Sequence, residues 1–475
     1  MSTLKALIPA VLALSLSRAA NLQTQDIFSF STHKFPGQVV GDSRNAYVLT
    51  EGGVLVFDYG RKAWTDNLAP GSSVRSIRYS LTRSKLYAML EGGNVLEYNT
   101  AFRRFTPAST ADFEAATDVG AVPDLTGLTM GDDYFFLGDA VRDKYMRRAP
   151  LGTSRVFEYD NLWVLTRGLG PFFGSARRKQ ANTAWFGLDD PATFVIQPEG
   201  NDIWYGSCRQ DGALVKSGSD LNGWKVYVSQ LEYGFVDGCV LDVRAWKDYI
   251  WLATRKGVVR LDPRTGRFQP YSHMLGSTSL KVFALHVHQG RLYAGSESGV
   301  AWLSNPKDEF QSTEMLPGTT SPEVYELESK DKDLWAATRY GLFVDRGDGW
   351  KSLKDVSSHD VPEAYGVRIP SVRFRDSSLY WISGNKVMVK PKQQQSKVLL
   401  ERDRPLRLVF DGDMLYVAFY SGVTAYDVRK RLWTDFRLED GIPGTKVLCL
   451  KVFAGKLWIG TDTGITRINL RPYLP

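Results

Sequence analysis

Apolar residues in this chain come in short runs, broken at close intervals by Gly, Asp, Asn and Ser, with no long stretch at helical spacing. Runs of roughly 4–8 residues bounded by turn formers are the pattern of β-strands. One unit recurs almost word for word. Leu457-Trp-Ile-Gly-Thr-Asp-Thr-Gly-Ile-Thr-Arg-Ile matches Leu334-Trp-Ala-Ala-Thr-Arg-Tyr-Gly-Leu-Phe-Val, Ile250-Trp-Leu-Ala-Thr-Arg-Lys-Gly-Val-Val-Arg-Leu and Leu292-Tyr-Ala-Gly-Ser-Glu-Ser-Gly-Val-Ala-Trp-Leu. Weaker copies begin near Ala46, Leu86, Tyr134, Leu162, Ile203, Leu379 and Leu415. The aromatic at the second position falls at Tyr47, Tyr87, Phe135, Trp163, Trp204, Trp251, Tyr293, Trp335, Tyr380, Tyr416 and Trp458, at intervals of 40, 48, 28, 41, 47, 42, 42, 45, 36 and 42 residues.

A period near 42 residues filled with short strands predicts an all-β chain, a β-propeller with one four-stranded blade per repeat. Runs such as Val324-Tyr-Glu-Leu and Val447-Leu-Cys-Leu read as innermost strands, and the Leu-Trp segment as the second strand. Gly257, Gly299, Gly341, Gly422 and Gly464 mark the turn to the third strand, where positive φ costs glycine little. The last copy stops at its third strand, while Asp26-Ile-Phe-Ser-Phe-Ser is strand-like and precedes the first complete copy. Residues 26–32 are therefore expected to complete the last blade and close the ring, which removes an exposed edge. Ten or eleven blades are expected, with a regular seven-blade region over 191–475 and less regular blades over 20–190. Two arrangements fit: a seven-bladed ring with a smaller N-terminal propeller-like part, or one large ring.

The segment Leu438-Glu-Asp-Gly-Ile-Pro-Gly-Thr-Lys-Val followed by Leu457-Trp-Ile-Gly-Thr-Asp-Thr-Gly-Ile resembles the two-component-regulator propeller repeat, most specifically over 438–469. That resemblance implies a bacterial periplasmic or cell-surface propeller that recognises carbohydrate or a partner protein. No membrane helix, kinase or DNA-binding domain follows the repeats in this sequence, which departs from that family's signalling proteins.

The N-terminus adds a compartment. Lys5 precedes an apolar run from Ala6 to Ser17, with Ser17 and Ala19 at the spacing of a cleavage site, so residues 1–19 read as a secretory signal peptide. The run is shorter than the ~20 residues that span a bilayer. The chain is expected to be exported: periplasmic, cell-surface or extracellular. Net charge is +7, from 59 Lys and Arg against 52 Asp and Glu, without the dense basic patches of a nucleic-acid binder. Nucleic acid and a membrane span are excluded as expectations. Three cysteines leave at least one thiol unpaired; Cys208 and Cys239 fall on one loop face of adjacent blades and are expected to pair, with Cys449 buried and reduced.

Candidate chemistry is sparse. His286 and His288 share one side of a strand but lack a third metal ligand in sequence, and Asp345–Asp348 and Asp411–Asp413 read as turns rather than calcium loops. Gly168–Gly174 has no phosphate-binding Lys and reads as a turn between strands. No catalytic residue, metal or cofactor is expected. Propeller topology places the loops between second and third strands on the face that also carries the blade-to-blade connections. From those turns Arg167, Arg255, Glu297, Arg339, Tyr340, Tyr420 and Asp462 are candidate ligand-binding residues for a glycan or protein ligand. A non-enzymatic binding or scaffold protein is the leading expectation. A secreted carbohydrate-active enzyme with convergent carboxylates, or the detached sensor half of a two-component system, are the alternatives.

Overall fold

The computed structural model describes residues 17–19, 26–68, 73–99, 104–117, 120–208, 213–229, 231–271, 280–313, 315–316, 321–356, 364–392 and 394–473. The signal segment apart from Ser17–Ala19 lies outside these residues, as do His273 and His359. The described residues form ten sheets. Seven are successive blades, 1 to 7, over 193–228, 240–271, 282–313, 324–352, 372–401, 405–437 and 447–469; the first six ranges are four-stranded meanders and the last holds three strands. The first strand of each blade packs against the first strand of the next, and that of blade 7 returns to that of blade 1. These seven blades form a closed β-propeller ring. Blade 7 takes its fourth strand from the N-terminus: Ile27–Phe30 pairs antiparallel with Ile465–Asn469, Phe30 opposite Ile465. The expected closure by the N-terminal strand is borne out. Ser17–Ala19 adds a parallel strand to the outer edge of blade 6, opposite Trp433–Asp435.

Three further sheets precede the ring, over 38–68, 74–108 and 129–183. The third has seven strands and contains both Phe135 and Trp163, the pair only 28 residues apart. The sequence expectation of ten or eleven units thus resolves to ten, because so short an interval cannot house four strands and their turns. Phe135 is 54% exposed, while the other ten repeat aromatics are all below 10%. A mixed aromatic core joins the N-terminal sheets to the first and last blades, gathering Phe57, Trp163, Phe186, Phe30, Tyr205 and Trp458.

The repeat is explained by what each residue meets. Second strands are buried along almost their whole length, because a blade is covered by a neighbour on both sides, and so they read as continuous apolar runs instead of alternating ones. The small residue before the Thr faces the start of a neighbouring first strand. A Cβ at Gly206 would meet Val240, at Gly295 Val324, and at Gly460 Thr193 and Cys449. The Thr or Ser that follows is buried and ties the hairpin. Thr254, Ser296 and Thr338 donate from their hydroxyls to the carbonyls of Gly257, Gly299 and Gly341, at 2.9, 3.0 and 2.8 Å. Those same hydroxyls accept from the N–H groups of Lys256, Ser298 and Tyr340. The turn glycines take φ from +105° at Gly299 to +154° at Gly464, a region costly for any residue with a Cβ.

Candidate functional site

The turn between second and third strands meets the chain entering the first strand at one end of each blade. The backbone N–H groups of Glu297, Arg339 and Asp462 donate to the carbonyls of Lys281, Glu323 and Lys446, at 3.0, 3.0 and 3.3 Å. Arg255, Glu297, Arg339, Tyr340, Tyr420 and Asp462 all occupy this position on ring blades. Arg167 occupies the matching turn of the third N-terminal sheet, where its N–H donates to Pro150 at 3.2 Å, outside the ring.

Several of these side chains are engaged in holding the turn. Arg255 pairs with buried Asp237 at 3.0 Å, and its hydrogen bond to that carboxylate holds the guanidinium above its ordinary pKa. Asp462 accepts from the N–H of Thr445 at 2.8 Å and from its hydroxyl; partial burial works to raise its pKa, but these hydrogen bonds outweigh it and the carboxyl is lowered. Glu297 accepts from the N–H of Lys281 at 3.2 Å. Arg339 lies 3.4 Å from Glu323 and over the ring of Tyr340, which is 50% exposed. Cys208 and Cys239 are joined in a disulfide across this end of blades 1 and 2, and Cys449 is a buried free thiol whose pKa burial pushes up to about 12.

On this loop face a cleft of 970 Å³ opens between blades 5 and 6. Pro370, Met388, Pro405 and Leu406 supply its apolar lining, and Tyr420, Ser383 and Asn385 line it with polar groups. Arg368, Lys386, Arg404 and Glu401 supply charge. Glu401 stands opposite Lys386 in the blade-5 ladder. Arg368 stacks 4.6 Å over Tyr325, and Arg404 lies 5.3 Å over Tyr420. Of the expected ligand-binding residues, the cleft takes in Tyr420 alone. Arg368, Lys386 and Arg404 escaped the sequence reading because blade 5 carries only a weak copy of the repeat. Its turn Gly384-Asn385 also lacks the Thr-x-x-Gly signature.

The centre of the ring holds a second polar assembly, contributed by the first strands. Two carboxylates there satisfy the free edge of the following blade: Asp242 accepts from the N–H of Leu285 at 2.9 Å, and Glu326 from that of Val372 at 3.0 Å. The Ser371 hydroxyl donates to Glu326 at 2.6 Å and accepts from the N–H of Leu408 at 3.1 Å. Arg373 lies 2.8 Å from Glu326 and 3.2 Å from Glu328, and Arg407 lies 3.5 Å from Glu326. Burial works to raise the Glu326 pKa, but Arg373, Arg407 and the Ser371 hydroxyl outweigh it and hold the carboxyl below its ordinary value. At Glu328 burial wins over Arg373 and the carboxyl is raised. His286 and His288 share the Ser329 hydroxyl, at 2.6 and 2.8 Å. Among the described residues, no three His, Cys, Asp or Glu side chains gather as metal ligands. Asp345 accepts from the N–H groups of Gly347 and Gly349, and Asp413 pairs with Arg375 and Arg429, so both acidic turns use their oxygens internally.

No helix among the described residues is long and apolar enough to cross a membrane. No protein-family model matches the chain, and no curated protein matches it in sequence. Among solved structures it resembles the extracellular domain assigned to a hybrid two-component system of B. thetaiotaomicron, with a TM-score of 0.50 and 14% identity over 92% of this chain and 63% of that one. It resembles equally PorZ, a bacterial surface component of the type-IX secretion system of Porphyromonas gingivalis, with a TM-score of 0.50 and 13% identity over 92% of this chain and 74% of that one. The chain thus spans less than two thirds of the length of the first of these. At such identities the likeness is one of fold: this chain is a β-propeller.

Proposed function

We propose that the protein is an exported, non-enzymatic binding propeller whose loop face recognises a polar ligand, a glycan or a partner protein, at the periplasm or cell surface. The observation that carries this is the cleft between blades 5 and 6. It is large enough for several residues or sugar units, and its lining mixes apolar, cationic and hydrogen-bonding side chains. Its position on the face that gathers the blade-to-blade connections is where a propeller can vary loops without disturbing its ring. In this reading residues 191–475 form the recognition ring and the sheets of 20–190 brace it. The signal peptide and the repeat resemblance agree with such a role, and so does the extracellular setting of the structural neighbours.

Hydrolysis of a glycoside uses a pair of carboxyl groups with divergent pKa values. Glu326 and Glu328 form such a pair by pKa direction, the one lowered and the other raised. The oxygens of Glu326, however, are taken by Ser371, Val372, Arg373 and Arg407, which bind three blades together. The cleft itself offers only Glu401. Binding is therefore the better reading.

The test is a glycan array together with affinity capture on the mature protein, repeated with Arg368→Ala, Arg404→Ala and Tyr420→Ala. The wild type is expected to retain a defined ligand, and each variant to lose about tenfold or more in affinity with unchanged thermal stability. A ligand retained equally by all three variants would place recognition elsewhere on the molecule.

A further inference from the structure

Three adjacent first strands each bring one long polar side chain to the same level of the central channel: Lys451 from blade 7, Gln197 from blade 1 and Arg244 from blade 2. The Gln197 side-chain oxygen accepts from Arg244 at 2.7 Å and from Lys451 at 3.0 Å. Two cationic nitrogens are thereby held within about 6 Å of each other, with only a neutral amide oxygen between them. The amide nitrogen of Gln197 turns away, to Pro198 and Glu199.

The neighbouring carboxylates are engaged by groups other than Lys451. Arg244, Arg373 and Arg407 face Asp242, Glu326 and Glu328, and Glu199 accepts from the Gln197 amide nitrogen at 3.0 Å. Each of those arginines has a carboxylate within 3.5 Å. Lys451 has no carboxylate within the 4.0 Å of an ion pair among the described residues, and its one polar partner is Gln197. The histidine on the next blade, His286, is held neutral by burial, its pKa lowered to about 4. Burial, followed by repulsion from Arg244, lowers the Lys451 ammonium to about 8 against the opposing pull of Asp242. A half-buried cation with no ion-pair partner, flanked by an arginine, is a place an anion would occupy.

We propose that Lys451 and Arg244 form a binding site for a single oxyanion group in the channel, a carboxylate or sulfate held between blades 7 and 2 over the Gln197 amide. The occupant is either a free small anion or the acidic substituent of a larger solute entering the channel. This site is separate from the loop-face cleft and stands or falls independently of the binding role proposed there.

Gln197→Glu places a carboxylate between the two cations and is expected to abolish binding of added anion. Lys451→Met should abolish anion binding as well. The probes are sodium acetate, sodium sulfate and sodium glucuronate at matched ionic strength, read by calorimetry and by the chemical shift of the Lys451 side chain. Saturable binding of any probe to the wild type, lost at least tenfold in both variants, together with an upward shift of the lysine titration on binding, is the expected result. Acetate alone sufficing identifies a free anion. Glucuronate binding well above acetate identifies a sugar-borne carboxylate. No saturable binding of any probe, or equal binding by the variants, would overturn the site.

Discussion

His33 is a residue whose chemistry its surroundings strongly alter. It is 1% exposed, its Nδ1 lies 2.7 Å from the Thr50 hydroxyl, and no partner reaches its Nε2 among the described residues. Burial lowers its pKa to about 3, so the folded protein keeps the ring neutral while the unfolded chain takes up a proton near pH 6.5. Because the unfolded state binds more protons below that pH, stability is lost as the solution is acidified from 6.5 toward 3. Between pH 6.5 and 4.5 the wild type should lose about 2–3 kcal/mol more than His33→Gln, which still reaches the Thr50 hydroxyl. Urea titrations of both proteins at several pH values measure this, and parallel pH slopes would show that His33 is not buried neutral. Residues of this kind are illegible in sequence: nothing in Thr32-His33-Lys34 separates a sealed imidazole from a solvated one. The same holds for Gln197, whose importance comes from two cations on neighbouring blades. Thr254, Ser296 and Thr338 are the opposite case, since their hydrogen bonds close over three residues and recur wherever the motif does.

At the scale of the element, the strand Ile27–Phe30 places two aromatics, two positions apart, on one side of the strand at different depths. Phe30 is 2% exposed and packs edge-on against Phe186, Tyr205, Trp224 and Trp458. Phe28, two positions earlier, is partly exposed, with the Arg467 guanidinium 4.9 Å over its ring. Phe30→Ala should cost about 3–5 kcal/mol, as expected for emptying a packed aromatic site, and Phe28→Ala distinctly less. Chemical denaturation of the two variants decides it, and equal costs would mean that Phe30 is not the more deeply packed of the two. That this strand closes blade 7 was readable from a repeat that ends one strand short. The merging of two repeat-like segments into one seven-stranded sheet was not. Tyr134–Phe136 carries the aromatic of the repeat, but its neighbour Ala140–Asp143 pairs onward with Arg148–Phe157, so no separate blade forms.

For the molecule as a whole, the ring is held by covalent and polar links as well as apolar contact. The Cys208–Cys239 disulfide spans 31 residues across the junction of blades 1 and 2. Its reduction should destabilise the fold by about 3–4 kcal/mol on chain-entropy grounds. Peptide mapping without reductant should yield Cys208 linked to Cys239, and a peptide linking Cys449 to either would refute the pairing. Asp242, Glu326 and Ser371 form links of the second kind, each tying its own blade to an amide on the next. The local repeat, with its small residue, hydroxyl and turn glycine, by itself determined the strands, the hairpins and the propeller they build. It could do so because those interactions close within one blade or with the blade next in sequence. Ring closure at seven blades, the cleft between blades 5 and 6 and the channel charges were decided only by the tertiary structure. Each depends on side chains far apart in sequence, Lys451 and Gln197 among them, which meet only when the last blade comes back to the first.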